Sequence, residues 1–143
     1  LGNIFCGDLR FLVSGSTLTT ILNIYIEDYL YGVVGYEMSP SWNAQALMAQ
    51  AVAARNYALR KKSERGNQAW HVTDTTSDQV FRGRSASKSY DSVVSAVEAP
   101  KRTAVRINGK LAGAITRTKM SLSLAPSTRA ARISVSSMFT TPW

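Results

Sequence analysis

Two apolar stretches near the start of the chain predict a β-hairpin. They cover residues 11–13 and 18–26 and are separated by the polar residues 14–16, whose middle residue is a glycine. A glycine between two such stretches indicates a turn, because glycine readily adopts the positive φ values that tight turns require. Glu27 and Asp28 then precede an apolar and aromatic stretch. Acidic residues favour the first turn of a helix, so a short helix is expected to begin there.

A long helix over residues 40–62 is the clearest prediction of the pattern. Apolar residues recur there at spacings of three and four, and seven alanines lie between residues 44 and 58. Ser39 followed by Pro40 is typical of an N-cap and a first helical position. Gly66 lies just beyond the last turn, where glycine commonly ends a helix.

Two further elements are predicted between residues 88 and 115. Residues 88–98 place their apolar side chains on one face and predict a shorter helix. Asn108-Gly109 lies between apolar residues at 102–107 and 111–115, and this dipeptide is a strong signal for a two-residue hairpin turn. Together the elements predict an α+β fold in which the long Ala-rich helix packs on a mainly antiparallel sheet.

The composition changes after residue 115. Of the 28 residues from 116 to 143, eleven are Ser or Thr and four are Arg or Lys, and none is glycine or acidic. We find no sustained helix or strand period in this segment. The expected organisation is therefore a domain over residues 1–115 and an atypical basic, Ser/Thr-rich tail over residues 116–143, of divergent or non-native origin.

The net charge of +8 comes from the C-terminal third of the chain. Residues 1–98 hold nine basic and nine acidic side chains, whereas residues 99–143 hold eight basic side chains and no acid. Such a region suits an anionic partner such as nucleic acid, a membrane surface or a wall polymer, or is simply a solvated face. Since no nucleic-acid-binding motif accompanies the charge, we expect no nucleic-acid partner.

Cysteine, histidine and apolar content exclude other classes of protein. With one cysteine and one histidine, the chain has neither an internal disulfide nor a Cys/His metal cluster, so neither metal nor cofactor is expected. The sequence shows no signal peptide and no run of 18 apolar residues. Contact with a membrane is thus expected only through an anchor outside this sequence.

Glu37 is the first candidate for chemistry. It lies between Tyr36 and Met38, two residues before Ser39-Pro40. A carboxyl group beside apolar and aromatic side chains is desolvated, which raises its pKa and suits it to general acid catalysis. The helix N-terminus predicted at Pro40 opposes this effect by favouring the anion. The alternative interpretation is an acid that only stabilises the start of the helix.

Other polar candidates have more ordinary interpretations. Asp74 and Asp78 could pair with Glu37 as in a two-carboxylate glycosidase, but Asp in a polar loop commonly stabilises a turn. Arg55, within the Ala-rich helix, either binds an anion or carboxylate or faces solvent. Aromatic residues near Glu37 could stack on sugar rings or belong to the core.

Three segments resemble the SpoIID/LytB family, which comprises stage II sporulation protein D and the amidase-enhancer proteins. The first is EDYLYGVVGYEMSPSWNAQALMAQAVAARNYAL over residues 27–59. The second is DTTSDQVFRG over residues 74–83, in which Phe81 replaces the tyrosine of the family. The third is AVEAPKRTAVRINGKLAGAI over residues 96–115. A motif of this length is specific, and the resemblance extends from about residue 8 to residue 115.

The resemblance implies a peptidoglycan lytic transglycosylase that acts on glycan strands stripped of stem peptides. Such an enzyme leaves 1,6-anhydromuramic ends during sporulation or wall remodelling. Glu37 matches the glutamate of the family's Glu-Met pair, which implies that it is the catalytic acid/base. The side chains expected to bind substrate are Arg55, Tyr36, Trp42, Tyr57 and Gln79.

The resemblance also implies partners and a location. The alternative function is a non-catalytic, wall-binding amidase enhancer, whose partner is an N-acetylmuramoyl-L-alanine amidase. Either function implies an extracytoplasmic site, in the cell wall or anchored in the membrane facing it. Two features depart from the family: residues 116–143 lack the Gly-Gly pair that members carry there, and the chain lacks the Cys and His ligands with which some relatives bind zinc.

Overall fold

The fold is α+β, as expected from the sequence. The structure is a computed structural model and describes residues 2–87, 90–112 and 132–139. In chain order its elements are β1 (Asn3–Ile4), β2 (Asp8–Ser14), β3 (Thr17–Tyr25), α1 (Ile26–Glu37), α2 (Ala44–Arg65), β4 (Val72–Thr73), β5 (Arg84–Ser85), α3 (Asp91–Glu98), β6 (Arg106–Ile107), β7 (Lys110–Leu111) and β8 (Arg132–Phe139).

A four-stranded sheet in the order β2-β3-β8-β4 supports the three helices. Strands β2 and β3 form the antiparallel hairpin predicted from the sequence, and Gly15 adopts a φ of +58° in its turn. Strand β3 pairs antiparallel with β8, and the short β4 pairs parallel with β8 on its other side. Two further strand pairs, β1-β5 and β6-β7, are antiparallel.

The β6-β7 pair confirms the predicted Asn-Gly hairpin in shorter form. Asn108 and Gly109 have φ values of +50° and +77°, as the left-handed turn between two adjacent strands requires. Each strand is two residues long. The predicted continuation over residues 113–115 lies outside the described part of the chain.

Strand β8 lies in the middle of the sheet, so the prediction that the chain after residue 115 lacks a regular element is wrong for residues 132–139. Its buried residues Ile133 and Val135 alternate with the half-buried Ser134. Both main-chain groups of Ser134 are bonded to His71: its N–H donates to His71 Nδ1 at 3.0 Å, and its carbonyl accepts from the His71 N–H at 2.8 Å. The remaining residues of the predicted tail are outside the described ranges.

Helix α1 confirms the predicted short helix, with Glu27 and Asp28 in its first turn. It ends at Glu37, after which the backbone of Met38 is extended. Helix α3 confirms the shorter second helix over residues 91–98. Residues 88 and 89, where that helix was predicted to begin, are not described.

Helix α2 confirms the long Ala-rich helix but begins four residues later than predicted. Its N-cap is Asn43, whose Oδ1 accepts a hydrogen bond from the Gln45 N–H at 2.8 Å. Ser39 and Pro40 instead belong to a turn in which the Trp42 N–H donates to the Ser39 carbonyl at 3.0 Å. Serine and proline in the first two positions favour a β-turn as well as a helix start, which explains the misplaced boundary.

The core lies between the sheet and the helices. Small residues of α2, Ala51, Ala54 and Ala58, are buried and allow the other helices to approach closely. Large apolar side chains from all three helices and the sheet complete the core: Ile24, Tyr29, Leu30, Val33, Val34, Leu47, Val93, Val97, Ile133 and Val135.

A buried ion pair connects α1 to α2 within this core. The guanidinium of Arg55 binds Glu27 through two bonds, from Nη2 to Oε2 at 2.6 Å and from Nε to Oε1 at 3.1 Å. Arg55 is only 1% exposed, and it also donates to the carbonyls of Val97 at 3.2 Å and Thr103 at 3.4 Å. The pair therefore joins the first turn of α1, the middle of α2 and the last turn of α3.

A second carboxylate, Asp78, ties the loop after β4 to α2. Its side chain is 2% exposed and forms ion pairs with Lys61 at 3.3 Å and Arg65 at 3.5 Å. It accepts hydrogen bonds from the Tyr57 hydroxyl at 2.7 Å and from Thr73, by its N–H at 2.9 Å and its hydroxyl at 3.0 Å. Burial alone raises the pKa of Asp78, but these hydrogen bonds outweigh it and lower that pKa to about 2.

We expect Arg55→Leu to lower the free energy of unfolding by about 3–5 kcal/mol, because it leaves the Glu27 carboxylate in the core without its cation. Arg60→Leu is the matched control on the same helix: Arg60 pairs with Glu64 near the surface, and its loss should cost less than about 1 kcal/mol. Urea unfolding of the three proteins measures the difference. Equal losses in the two variants would contradict a structural role of the buried pair.

Asp78→Asn should destabilise the chain by about 1–3 kcal/mol at pH 7, since it removes the charge that Lys61 and Arg65 neutralise. The contribution of the ionised carboxylate is complete well above its ordinary pKa of 3.8 and is lost as the pH falls toward about 2. The difference in the free energy of unfolding between wild type and variant should therefore shrink as the pH falls across that interval. Thermal unfolding at a series of pH values measures it. Asp74→Asn, which breaks a more exposed pair with Arg82, is the control. A difference independent of pH would refute the depressed pKa.

Candidate active site

Glu37 is the last residue of α1 and lies seven residues before the first residue of α2. The sequence predicts Glu37 just before the start of the long helix, where the helix dipole favours the anion. That expectation is wrong, because the turn at residues 39–42 separates Glu37 from α2. At the C-terminal end of α1 the dipole instead disfavours a negative charge.

The carboxyl group of Glu37 has one hydrogen-bond donor among the described residues, the side chain of Gln50 on α2. Gln50 Nε2 donates to Glu37 Oε2. Burial of the carboxyl raises the pKa of Glu37, the hydrogen bond from Gln50 lowers it, and the net direction is upward. The residue remains exposed, and no described cation pairs with it. A carboxyl that is accessible and whose pKa is raised is better suited to donate a proton as a general acid than an ordinary glutamate.

Tyr29 and Gln79 lie below the surface that carries Glu37. The Tyr29 hydroxyl donates to Gln79 Oε1 at 3.2 Å, and both side chains are buried. Burial raises the pKa of Tyr29 most, and the negative charges of Asp78 and Glu37 raise it further. Gln79 is therefore bonded to Tyr29 within the fold. Its side chain is not exposed on the surface, where a contact with substrate was expected.

Two glycines of α1 allow Phe81 and Tyr90 to pack directly on this helix. A Cβ at Gly32 would overlap the ring of Phe81, and a Cβ at Gly35 would overlap the Tyr90 hydroxyl. Phe81, which stands where the family has tyrosine, stacks on Tyr29 with ring centroids 5.3 Å apart. Close packing of the second family segment on α1 thus fixes the surroundings of Tyr29.

Tyr36 and Trp42 are the exposed aromatic residues nearest to Glu37 in sequence. Tyr36 precedes Glu37 on α1 and is 57% exposed, and Trp42 lies in the loop between α1 and α2 and is 58% exposed. Tyr36 lines a small open pocket of about 110 Å³, whose other walls are Asn3, Gly32, Gly35, Arg82, Gly83, Ser85 and Tyr90. Neither aromatic ring belongs to the core, so both are free to contact a ligand.

The structure places Arg55 and Tyr57 within the fold, where their polar groups are bonded to other protein groups. The Arg55 guanidinium is buried, and four of its five N–H donors are directed to Glu27 and two carbonyls. The Tyr57 hydroxyl donates to Asp78, and its ring contacts the cations of Arg60 and Lys61. Both side chains organise the fold beneath the site.

Both aspartates are held in ion pairs. The Asp78 side chain is only 2% exposed and is held by three hydrogen bonds and two cations, which withholds it from a substrate. Asp74 pairs with Arg82 at 3.1 Å. The described residues therefore bring Glu37 together with Gln50 rather than with a second acid. Sequence analysis missed Gln50, and the only available signal was its place within the family segment.

Among residues 2–87, 90–112 and 132–139, no three His, Cys, Asp or Glu side chains lie close enough to hold a metal ion. Within the same ranges, no helix is both long and apolar enough to cross a membrane.

Comparison with known proteins gives three matching relatives. An uncharacterised protein of Brachyspira hyodysenteriae is 41% identical over 81 residues, 56% of this chain and 22% of that protein. The amidase enhancer of Bacillus subtilis is 39% identical over 82 residues, 57% of this chain and 10% of that protein. Stage II sporulation protein D of Bacillus amyloliquefaciens is 36% identical over 73 residues, 48% of this chain and 21% of that protein.

The matched region thus spans less than about a quarter of the length of each relative. No solved structure matches the chain. The family model described as stage II sporulation protein matches residues 14–120, which is more than half of the 143 residues. That range contains α1, α2, α3 and the Glu37–Gln50 contact. The chain therefore belongs to the SpoIID family of stage II sporulation proteins.

Proposed function

We propose that this chain carries the catalytic site of a peptidoglycan lytic transglycosylase and that Glu37 is its acid/base. The observation that carries the proposal is the state of the Glu37 carboxyl: it is accessible, its pKa is raised, and no described cation neutralises it. Membership of the SpoIID family supports the same assignment. The two aspartates that could have made the site a hydrolase are held in ion pairs.

A single carboxyl group is sufficient for this reaction. Neutral Glu37 donates its proton to the glycosidic oxygen as the bond from that oxygen to C1 of the muramic acid breaks. The resulting carboxylate then takes the proton of the C6 hydroxyl, whose oxygen bonds to C1 and closes the 1,6-anhydro ring. Glu37 ends the cycle protonated, and no water is consumed. The second carboxylate that inverting and retaining hydrolases require is therefore unnecessary.

Tyr36 and Trp42 are proposed to bind the glycan strand. Both rings are exposed on either side of Glu37 in sequence, and aromatic rings pack well on the apolar faces of sugars. Three other side chains are proposed to support the site by holding α1, α2 and the residue 74–79 loop in place: Arg55, Tyr57 and Gln79.

The second candidate function is a wall-binding amidase enhancer without catalytic activity of its own. The name of the Bacillus subtilis relative favours it. In that case the chain would bind glycan strands through Tyr36 and Trp42 and stimulate an N-acetylmuramoyl-L-alanine amidase. Both functions place the chain outside the cytoplasm, where peptidoglycan lies.

Glu37→Gln should lower the rate of strand cleavage by at least about 100-fold while leaving glycan binding largely intact, because it removes the transferable proton and keeps the size of the side chain. The assay incubates the 143-residue chain with peptide-free glycan strands and detects 1,6-anhydromuramic ends by mass spectrometry. Glu64→Gln, which changes a surface glutamate of α2, is the control and should cleave at the wild-type rate.

The products separate the candidate functions. Reducing ends in place of anhydro ends would indicate a hydrolase and overturn the transglycosylase proposal. Absence of cleavage, together with stimulation of an amidase by wild type and Glu37→Gln alike, would establish the enhancer instead. Cleavage by Glu37→Gln at the wild-type rate would exclude Glu37 as the acid/base.

Tyr36→Ala and Trp42→Ala should each weaken the interaction with glycan strands by roughly 5- to 100-fold, because each removes an exposed ring worth about 1–3 kcal/mol of stacking and apolar contact. The measurement is KM for cleavage or, for an inactive protein, the Kd for strands. Phe11→Ala removes an exposed ring on β2 and is the control. Equal effects of all three variants would argue against a specific aromatic platform around Glu37.

A further inference from the structure

We propose that Gln50 is the positioning residue of Glu37: it holds one carboxyl oxygen, Oε2, and thereby assigns the other, Oε1, to exchange the proton with substrate. The inference rests on the proposed function and names the oxygen of Glu37 that exchanges the proton. The observation behind it is the hydrogen bond from Gln50 Nε2 to Glu37 Oε2, which joins two helices across 13 positions of the chain.

Gln50 is anchored more firmly than Glu37. It lies in the second turn of α2, next to the fully buried Ala51 and one turn after the fully buried Leu47. Glu37 is the terminal residue of α1, and the backbone that follows it is extended. A side chain at a helix end has few packing contacts that restrict its rotation, so a donor fixed on the neighbouring helix is well placed to orient it.

The hydrogen bond distinguishes the two oxygens of the carboxyl group. An amide N–H can only donate, so Oε2 must present a lone pair to Gln50. In the neutral acid the proton therefore resides on Oε1. Among the described residues, Oε1 has no hydrogen-bond or ion-pair partner. Oε1 is thus the oxygen available to donate a proton to the glycosidic bond and to recover one from the C6 hydroxyl.

Among the described residues, Gln50 is the main polar group that acts on the pKa of Glu37. Besides Glu37, the titratable groups of α1 are Glu27, Asp28, Tyr29, Tyr31 and Tyr36. Those of the elements packed on α1 are Arg55, Tyr57, Arg60, Lys61, Lys62, Glu64 and Arg65 on α2, Asp91 and Glu98 on α3, Arg84 on β5 and Tyr25 on β3, and Asp78 lies in the loop after β4. None of these described groups forms a hydrogen bond or ion pair with Glu37, and the Tyr29 and Tyr57 hydroxyls are directed to Gln79 and Asp78. Burial raises the pKa of Glu37 and the Gln50 bond opposes it, so changes at Gln50 should be visible in the titration of that carboxyl.

The test is a series of substitutions at residue 50 that changes the donor and preserves length. Gln50→Met removes the donor at similar volume and should move the Glu37 pKa upward. Gln50→Lys supplies a cationic donor and should move it downward. Gln45→Met, on an exposed position of the same helix, is the control and should leave it unchanged. The chain has four glutamates, so carbon-13 NMR of glutamate-labelled protein can follow Glu37, identified by the signal missing from Glu37→Gln.

Activity supplies the second readout. We expect Gln50→Met to lower kcat by roughly 10- to 100-fold with little change in KM, and to displace the pH profile of kcat in the direction of the titration. Circular dichroism and thermal unfolding confirm that each variant is folded. If either variant fails to fold, the other still tests the direction of the shift.

Two results would overturn the role of Gln50. One is a Glu37 titration that is the same in wild type and both Gln50 variants, because no hydrogen bond would then link the two side chains. The other is a shifted titration with unchanged kcat, because the orientation of the carboxyl would then not matter. A third result separates the two proposals. If the wild-type chain is inactive, but the Glu37 pKa is higher in Gln50→Met and lower in Gln50→Lys than in wild type, the proposed function is contradicted and the Gln50–Glu37 bond is supported.

Discussion

The buried pair of Arg55 and Glu27 is the interaction on which the site geometry depends. A guanidinium in the core needs hydrogen-bond partners, and here four of its five donors are directed to Glu27 at the start of α1, to the Val97 carbonyl of α3 and to the Thr103 carbonyl beyond it. At about 1.5 Å per residue, Glu37 lies about 15 Å further along α1 than Glu27. It meets α2 again at Gln50, which precedes Arg55. Contacts at two separated points fix the relative direction of two rigid helices.

Environment rather than residue type separates the acidic side chains of this chain into distinct roles. Glu27 is committed to a buried cation and Asp78 to two cations and three hydrogen bonds, so both are structural anions. Glu37 has a neutral amide as its described partner and sits at the unfavourable end of a helix dipole. The pKa values are consequently driven apart, downward for Asp78 and upward for Glu37. Such a separation is what acid catalysis near neutral pH requires.

Local patterns predicted the elements well, whereas boundaries and long-range pairings needed the structure. Alternation and a glycine turn were enough for the β2-β3 hairpin, and alanine content for α2. Ser39-Pro40 suits a turn as well as a cap, so the start of α2 was misplaced, and with it the sign of the dipole acting on Glu37. Glu37 was a candidate because of its apolar and aromatic neighbours, and the resemblance to a family implied its role as acid/base. Its contact with Gln50 depends on the crossing of two helices, which no sequence spacing encodes.

Strand β8 shows how little sequence information a central strand requires. Its partners β3 and β4 are distant from it in the sequence. Among its described side chains, two apolar ones are buried, Ile133 and Val135. Main-chain hydrogen bonds to neighbours on both sides, together with the His71 contacts to Ser134, complete its attachment. A segment whose composition departs from the family can therefore still complete the sheet. Because Glu37 and Gln50 both lie on helices fixed by Arg55, the proposed chemistry depends on β8 through the sheet that supports those helices and through the hydrogen bond from Lys62 Nζ of α2 to the Arg132 carbonyl.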